Sequence, residues 1–153
     1  MKLISINRFY LSTFSGILLA LSYPAFNLYF LQWFAFVPLL ISLKNQTIKS
    51  AYLQGVITGF WGVCIGFYWV ANWATVVMEI PFPLNYGITI AHSLAVAQIF
   101  GIIFGLFQWV RKYFWDYDIL TLPIIFITIF ASFPTIFKFS LGDAQSYFYR
   151  RFN

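Results

Sequence analysis

The chain has 153 residues, 61% of them hydrophobic and 8% charged, with a net charge of +5. Soluble domains carry roughly 25% charged residues, so a soluble fold of this length could not hide that much apolar surface. The nine Lys and Arg are spread along the whole chain, so no basic patch for nucleic acid is formed. The composition points to an all-α membrane protein. One transmembrane domain is expected over residues 1–153, a polytopic bundle of about five helices with the first two short and open to a hairpin reading.

About 20 helical residues cross a hydrocarbon core of about 30 Å. Segment one, residues 9–23, runs from Arg8 to Pro24. Lys2, Arg8 and the small residues Ala20 and Ser22 imitate a signal peptide. Four further apolar segments follow, so a retained first helix is expected. Segment two, residues 28–43, contains Pro38 and stops at Lys44. Both are short of a full span, and a re-entrant hairpin around "YPAFN" is the alternative to two thin spans. Segment three, residues 51–73, has the length of a span. Segment four, residues 84–110, is longer than needed and should tilt. Segment five, residues 119–139, follows "RKYFWDYD" and carries Pro123 in its expected first turn.

Lys2, Arg8, Lys44, Lys49, Arg111 and Lys112 fall at the N-terminus and in two connections, whereas residues 24–27 and 74–83 have no basic residue. The positive-inside rule puts the basic connections and the N-terminus in the cytoplasm. Arg150 and Arg151 in the tail oppose a five-span count.

In that topology "GFYWVANW", residues 66–73, lies at the outer interface, where Tyr and Trp favour the boundary between apolar and wet surroundings. Gly55, Gly59, Gly62 and Gly66 are spaced four, three and four apart, and the same steps reach Trp69 and Trp73. Ala97, Gly101 and Gly105 form a second small-residue stripe on segment four, with Gln98 and Gln108 near it. Such stripes let helix backbones approach closely. Segments three and four are expected to pack, leaving Trp69 and Trp73 as a shelf above the contact. Helix packing alone would also account for the stripes.

Candidates for chemistry are few. His92 lies within segment four, where a neutral imidazole could bond a neighbouring helix or carry a proton. Glu79 is read as a solvated carboxylate in an outer loop, and Asp116 and Asp118 as an interfacial pair beside Arg111 and Lys112. Lys138 and Asp143 flank the end of segment five. Cys64 is the only cysteine, so an internal disulfide is excluded, and no His, Lys or Glu stands at i±3 or i±4 to activate it. No metal-ligand spacing, nucleophile elbow or phosphate loop is present, so no metal, cofactor or catalytic residue is assigned.

Two blocks in order resemble one family. "LSYPAFNLYFLQWFAFVPLLISL", residues 21–43, is similar to the Pro-containing turn and the Trp and Pro-Leu second helix of the membrane region of apolipoprotein N-acyltransferases. "GFWGVCIGFYWVANWATVVMEIPFPLN", residues 59–85, resembles that family's Gly-rich third helix and the Pro-containing entry to its fourth. "LPIIFITIFASF" and "FKFSLGDAQS" give a fainter third match. The family usually carries Trp, Glu and Arg in helix five, where this chain has Phe126, Phe130 and Phe133.

The resemblance implies a bacterial inner-membrane protein of lipoprotein biosynthesis. The family transfers an acyl chain from a phospholipid to the α-amino group of a diacylglyceryl-cysteine. Its chemistry belongs to a nitrilase-like domain with a Glu-Lys-Cys triad, for which these 153 residues have no counterpart. The expectation is a chain that holds lipid substrates without being catalytic alone, with Tyr68, Trp69, Trp73 and His92 in a lipid-facing groove. The implied partners are membrane phospholipids, a separate nitrilase-like chain and lipoprotein precursors. The competing readings are a non-enzymatic lipid-binding or assembly subunit and an inactive remnant. A transporter has less support, since no inverted repeat or paired intramembrane charge is seen.

Overall fold

The computed structural model describes residues 2–112 and 118–132. The described residues form helices α1 (Lys2–Leu21), α2 (Val37–Ser42), α3 (Ile48–Gly66), α4 (Trp69–Met78), α5 (Leu84–Arg111) and α6 (Asp118–Ser132), with a 3-10 turn at Tyr29–Trp33 and no strand. All-helical architecture follows from the long apolar runs and from Pro and Asn at the turns.

α3 is the central helix, packed against α1 on one side and α5 on the other. α1 and α3 run side by side in the same direction: a Cβ placed on Gly16 would lie 2.6 Å from the Thr58 carbonyl oxygen, and Gly62 faces Leu19. α5 runs antiparallel to α3. A Cβ on Gly55 would lie 2.7 Å from the Phe100 carbonyl oxygen, one on Gly59 would lie 2.8 Å from the Phe100 ring, and Gly101 faces Tyr52 and Val56. The glycines of α3 therefore serve two partners. Gly55 and Gly59 meet α5, whereas Gly62 and Gly66 meet α1 and the turn after it.

Segment two is not a regular helix. After α1, Asn27 adopts a left-handed backbone (φ 62°) and the chain returns through the 3-10 turn and the six-residue α2. Asn45, also left-handed (φ 59°), reverses it again. Asparagine takes this conformation more readily than most residues. The return path descends alongside α1: the Ser15 hydroxyl donates to the Ala35 carbonyl, and Ser42 and Ser12 both reach Gln54.

Segment three is broken. α3 ends at Gly66 and α4 starts at Trp69, and the two meet at 59°. At the break the bonds tighten to the i−3 pattern, from Tyr68 N–H to the Ile65 carbonyl (3.4 Å) and from Val70 N–H to the Phe67 carbonyl (2.9 Å). The Tyr23 ring lies where a Gly66 side chain would be, with its Cδ2 at 2.0 Å from a Cβ placed there. The ring thus packs against the last residue of α3, where the helix ends. Hence Trp69 and Trp73 do not continue the α3 glycine stripe as the spacing predicts, because they belong to a helix that leans away.

Among the described residues, α5 with its 28 residues is long and apolar enough to cross a membrane, and the bent pair α3–α4 would make a second such unit. α6 begins at Asp118, so Pro123 stands inside the helix and not in its first turn. Phe126 packs its ring against Phe36, Phe100 and Phe104 at 5.5, 5.9 and 6.3 Å between centroids, which ties α6 to α2 and α5. Phe104, Leu39, Leu43, Ile103 and Val63 are the largest fully buried apolar side chains. Asp116, Lys138, Asp143, Arg150, Arg151 and the third sequence match beyond Ser132 lie outside the described residues, as do the side chains of Phe130 and Phe133.

The close approach predicts a contrast between two glycines of different surroundings. Gly55→Ala should lower stability by about 1–3 kcal/mol, since its Cβ meets rigid backbone. Gly87→Ala, with nothing within 4 Å, should raise it by roughly 0.5–1 kcal/mol through helix propensity. Thermal unfolding in one detergent, followed by circular dichroism, compares them; equal midpoints for the two variants would contradict the packing.

Candidate functional site

Two clusters of side chains sit at opposite ends of the bundle. The first surrounds the break between α3 and α4. Phe67 is its hub: its ring lies 5.1 Å from Tyr23 in an edge-on arrangement (77°), 5.9 Å from Trp69 and 6.3 Å from His92. Tyr68 is exposed and pairs with Phe26 at 6.2 Å. Three of the four residues singled out in the sequence, Tyr68, Trp69 and His92, are thus gathered at this break. Trp73 stands one turn further along α4, half-buried.

α4 is fixed to α5 by Val70, Ala71 and Ala74, all buried, and by the Asn85 side-chain amide, which donates to the Thr75 hydroxyl (2.9 Å). Glu79 is more than a solvated loop carboxylate. It ends α4 in a left-handed conformation (φ 55°), and the next N–H, of Ile80, returns to the Ala74 carbonyl (3.2 Å), which gives one of the last carbonyls of α4 a donor. The neighbouring connection is apolar and open: Phe82 is 78% exposed and pairs with Tyr86.

The second cluster is polar and buried. Gln54 accepts from Ser12 (3.4 Å) and from Ser42 while its amide donates to Ser50 (3.0 Å). Ser50 donates to the Gln46 side-chain oxygen (3.1 Å), which also accepts from Arg8 (2.7 Å), and Gln108 donates to the Gln46 carbonyl (2.8 Å). Residues from α1, α2, α3 and α5 therefore meet at one end, which is also the end that carries Lys44, Lys49, Arg111 and Lys112. This network went unnoticed in the sequence, although a glutamine inside an apolar run was its available signal. Phe67, Tyr23 and Gly16 were missed as well, being ordinary residues until their neighbours are known.

Among the described residues no three His, Cys, Asp or Glu side chains come together as a metal site requires, and Cys64 is a free, half-buried thiol on α3. The aromatic cluster is a partly exposed, mainly apolar surface that also carries a tyrosine hydroxyl, an indole and an imidazole. That is chemistry for holding an amphiphile by its apolar part.

The family model for the apolipoprotein N-acyltransferase N-terminal domain matches residues 15–148, a stretch that contains the aromatic cluster and all of the polar one except Arg8 and Ser12. The chain belongs to this family. An apolipoprotein N-acyltransferase of Geobacter metallireducens is 31% identical over 78 residues, which cover 51% of this chain and 15% of that relative. No solved structure matches the chain. Phe126, which stands where the resemblance would place the family's Trp, is a core ring among three other phenylalanines.

Replacing Gln54 with Met should test the polar cluster. The loss removes hydrogen bonds to Ser12, Ser42 and Ser50, although Ser12 and Ser42 keep bonds to the Arg8 and Leu39 carbonyls. A cost of about 1–2 kcal/mol is expected, near the upper end for interhelical bonds in membranes. Thermal unfolding of Gln54→Met beside the unaltered chain measures it; an unchanged midpoint would show that the network contributes nothing to stability.

Proposed function

We propose that this chain is a multi-pass membrane unit that holds lipid substrates for the N-acylation of lipoproteins, with the acyl-transfer chemistry supplied by a nitrilase-like partner domain. The supporting observation is the aromatic cluster at the α3–α4 break, within the stretch that matches the family. The 59° bend sets Phe67, Tyr68 and Trp69 at the corner between two helices, Tyr68 exposed and the other two half-buried, and an acyl chain from the bilayer would lie against them.

The polarity of the fold supports a lipid surrounding. Ser12, Ser15, Thr58 and Ser93 are fully buried, whereas Trp33 is 85% exposed and Ile127 70%. A surface of this kind matches hydrocarbon and interface better than water. Under this reading α1, the return path, α3–α4, α5 and α6 make up the five membrane passes, although two of them are interrupted. Interrupted backbone is tolerated at membrane depth where protein covers it. The basic end, with Arg8, Lys44, Lys49 and Arg111, faces the cytoplasm, and the aromatic break lies at the outer leaflet of a bacterial inner membrane. Lipoprotein precursors and phospholipid would meet there, below the partner domain.

Two experiments test this. Trp69→Leu with Trp73→Leu should reduce lipopeptide acylation by an assembled, active complex about three- to tenfold, the scale of one or two aromatic contacts. Mass-spectrometric analysis of acylated product reads the outcome, and unchanged acylation would remove these residues from the substrate path. Affinity purification of the tagged chain from gently solubilised native membranes should bring down a nitrilase-like chain in stoichiometric amount. Recovery of the chain with phospholipid alone would favour a non-enzymatic lipid-binding role.

A further inference from the structure

An open groove of about 500 Å³ runs between α3 and α5 at the basic end of the bundle. Its floor is Gly105, where the missing side chain leaves space beside Tyr52: a Cβ there would lie 3.6 Å from the Tyr52 Cβ, ordinary contact distance. Leu53 stands on one wall and Ile102 and Leu106 on the other, all three exposed, and Lys49 stands at the mouth. The Tyr52 hydroxyl donates to Gln98. The polar network described above lies at the same end, yet the lining is almost wholly apolar, with Lys49 contributing its hydrocarbon stem.

From this geometry we infer a binding site for an anionic glycerophospholipid, with the upper part of one acyl chain laid over Gly105 and the phosphate held by Lys49. Three features select that occupant. The volume lies within the about 300–1,000 Å³ of small-molecule sites. An apolar trough with a single cation at its open end is complementary to a lipid, which joins a hydrocarbon tail to an anionic head. The charges around the mouth have the required sign. Lys44, Lys49, Arg111 and Lys112 cluster at this end, whereas Glu79, the acidic residue among the described side chains, lies at the other. Basic residues beside a membrane helix attract anionic lipid. Because the groove is at the opposite end from Tyr68 and Trp69, this lipid is a resident of the cytoplasmic leaflet and not the acyl donor. The inference rests on the membrane-embedded reading above.

The test uses the full chain in nanodiscs containing equal amounts of dioleoyl phosphatidylglycerol and dioleoyl phosphatidylcholine, with lipid retained after gentle extraction measured by native mass spectrometry. The unaltered chain should retain phosphatidylglycerol in preference. Gly105→Leu, which fills the floor, should lower retention of both lipids severalfold. Lys49→Gln, at an exposed position, should leave total retention near normal and cut the phosphatidylglycerol preference about fivefold, the scale of one Lys contact to an anionic surface. Gly87→Leu, outside the groove, should change neither. Equal retention by all four proteins would overturn the site. A loss with Gly105→Leu but an intact preference with Lys49→Gln would overturn the assignment of the phosphate to Lys49. Recovery of the chain in the membrane fraction, read in the same preparations, reports on membrane embedding separately.

Discussion

The bundle depends on backbone meeting backbone. At Gly16 and Gly55 the space for a side chain is already taken by the carbonyl oxygens of Thr58 and Phe100. Carbonyl oxygens cannot rotate out of the way as side-chain ends can. α1, α3 and α5 therefore have one relative height, and everything else is placed by it. The Phe67 cluster comes together because Tyr23 on one side and His92 on the other are carried to the height of the α3–α4 break. The Gln54 network closes for the same reason at the opposite end. In a lipid surrounding this matters more than in water, since apolar burial supplies little drive between helices and close packing must supply more.

The distribution of polar groups follows from that packing. Small hydroxyl residues occupy the interfaces and bond to backbone carbonyls, Ser93 to Thr89 of its own helix (2.8 Å) and Thr58 across to Ser12 of α1 (2.9 Å). They fill little volume and satisfy themselves, so they do not hold the helices apart. Gln54 is the exception in size, and it is surrounded by three serines that use both ends of its amide. Aromatic residues enter the α3–α5 seam only where a glycine makes room, as Phe100 does at Gly59 and Tyr52 at Gly101, and otherwise collect at the break, in the α6 contact and on the outside.

The sequence conveyed the helical class, the limits of α5 to within a residue or two, and the presence of small-residue seams on α3 and α5. Those features are periodic or compositional, and a single stretch is enough to see them. It did not convey how the seam on α3 is shared. Gly62 and Gly66 have the same spacing as Gly55 and Gly59, and nothing local says that they face Leu19 and Tyr23 instead of α5. The break after Gly66 was hidden for a related reason, because the ring packed against it comes from 43 positions earlier in the chain. Segment two was hard for another reason. Pro38 and the short run were visible, but the 3-10 path depends on acceptors and donors offered by α1 and α3. Of the proposed substrate residues, Tyr68 and Trp69 were legible as interface-seeking aromatics, whereas Phe67 carries no polar handle and drew no notice.

Under the membrane-embedded reading, the return path from Tyr29 to Ser42 bears on how the chain would enter a bilayer. The Ala35 carbonyl lies in a stretch without a regular helical ladder, and it takes its hydrogen bond from Ser15 of α1. In bare hydrocarbon such a group would be left without a donor, at a cost of several kcal/mol. The segment is therefore a poor independent candidate for insertion. Its route into the bilayer runs through the prior placement of α1, whose Ser15 supplies the missing donor. The first helix then acts as a template for the segment made directly after it, and the two embed as one unit.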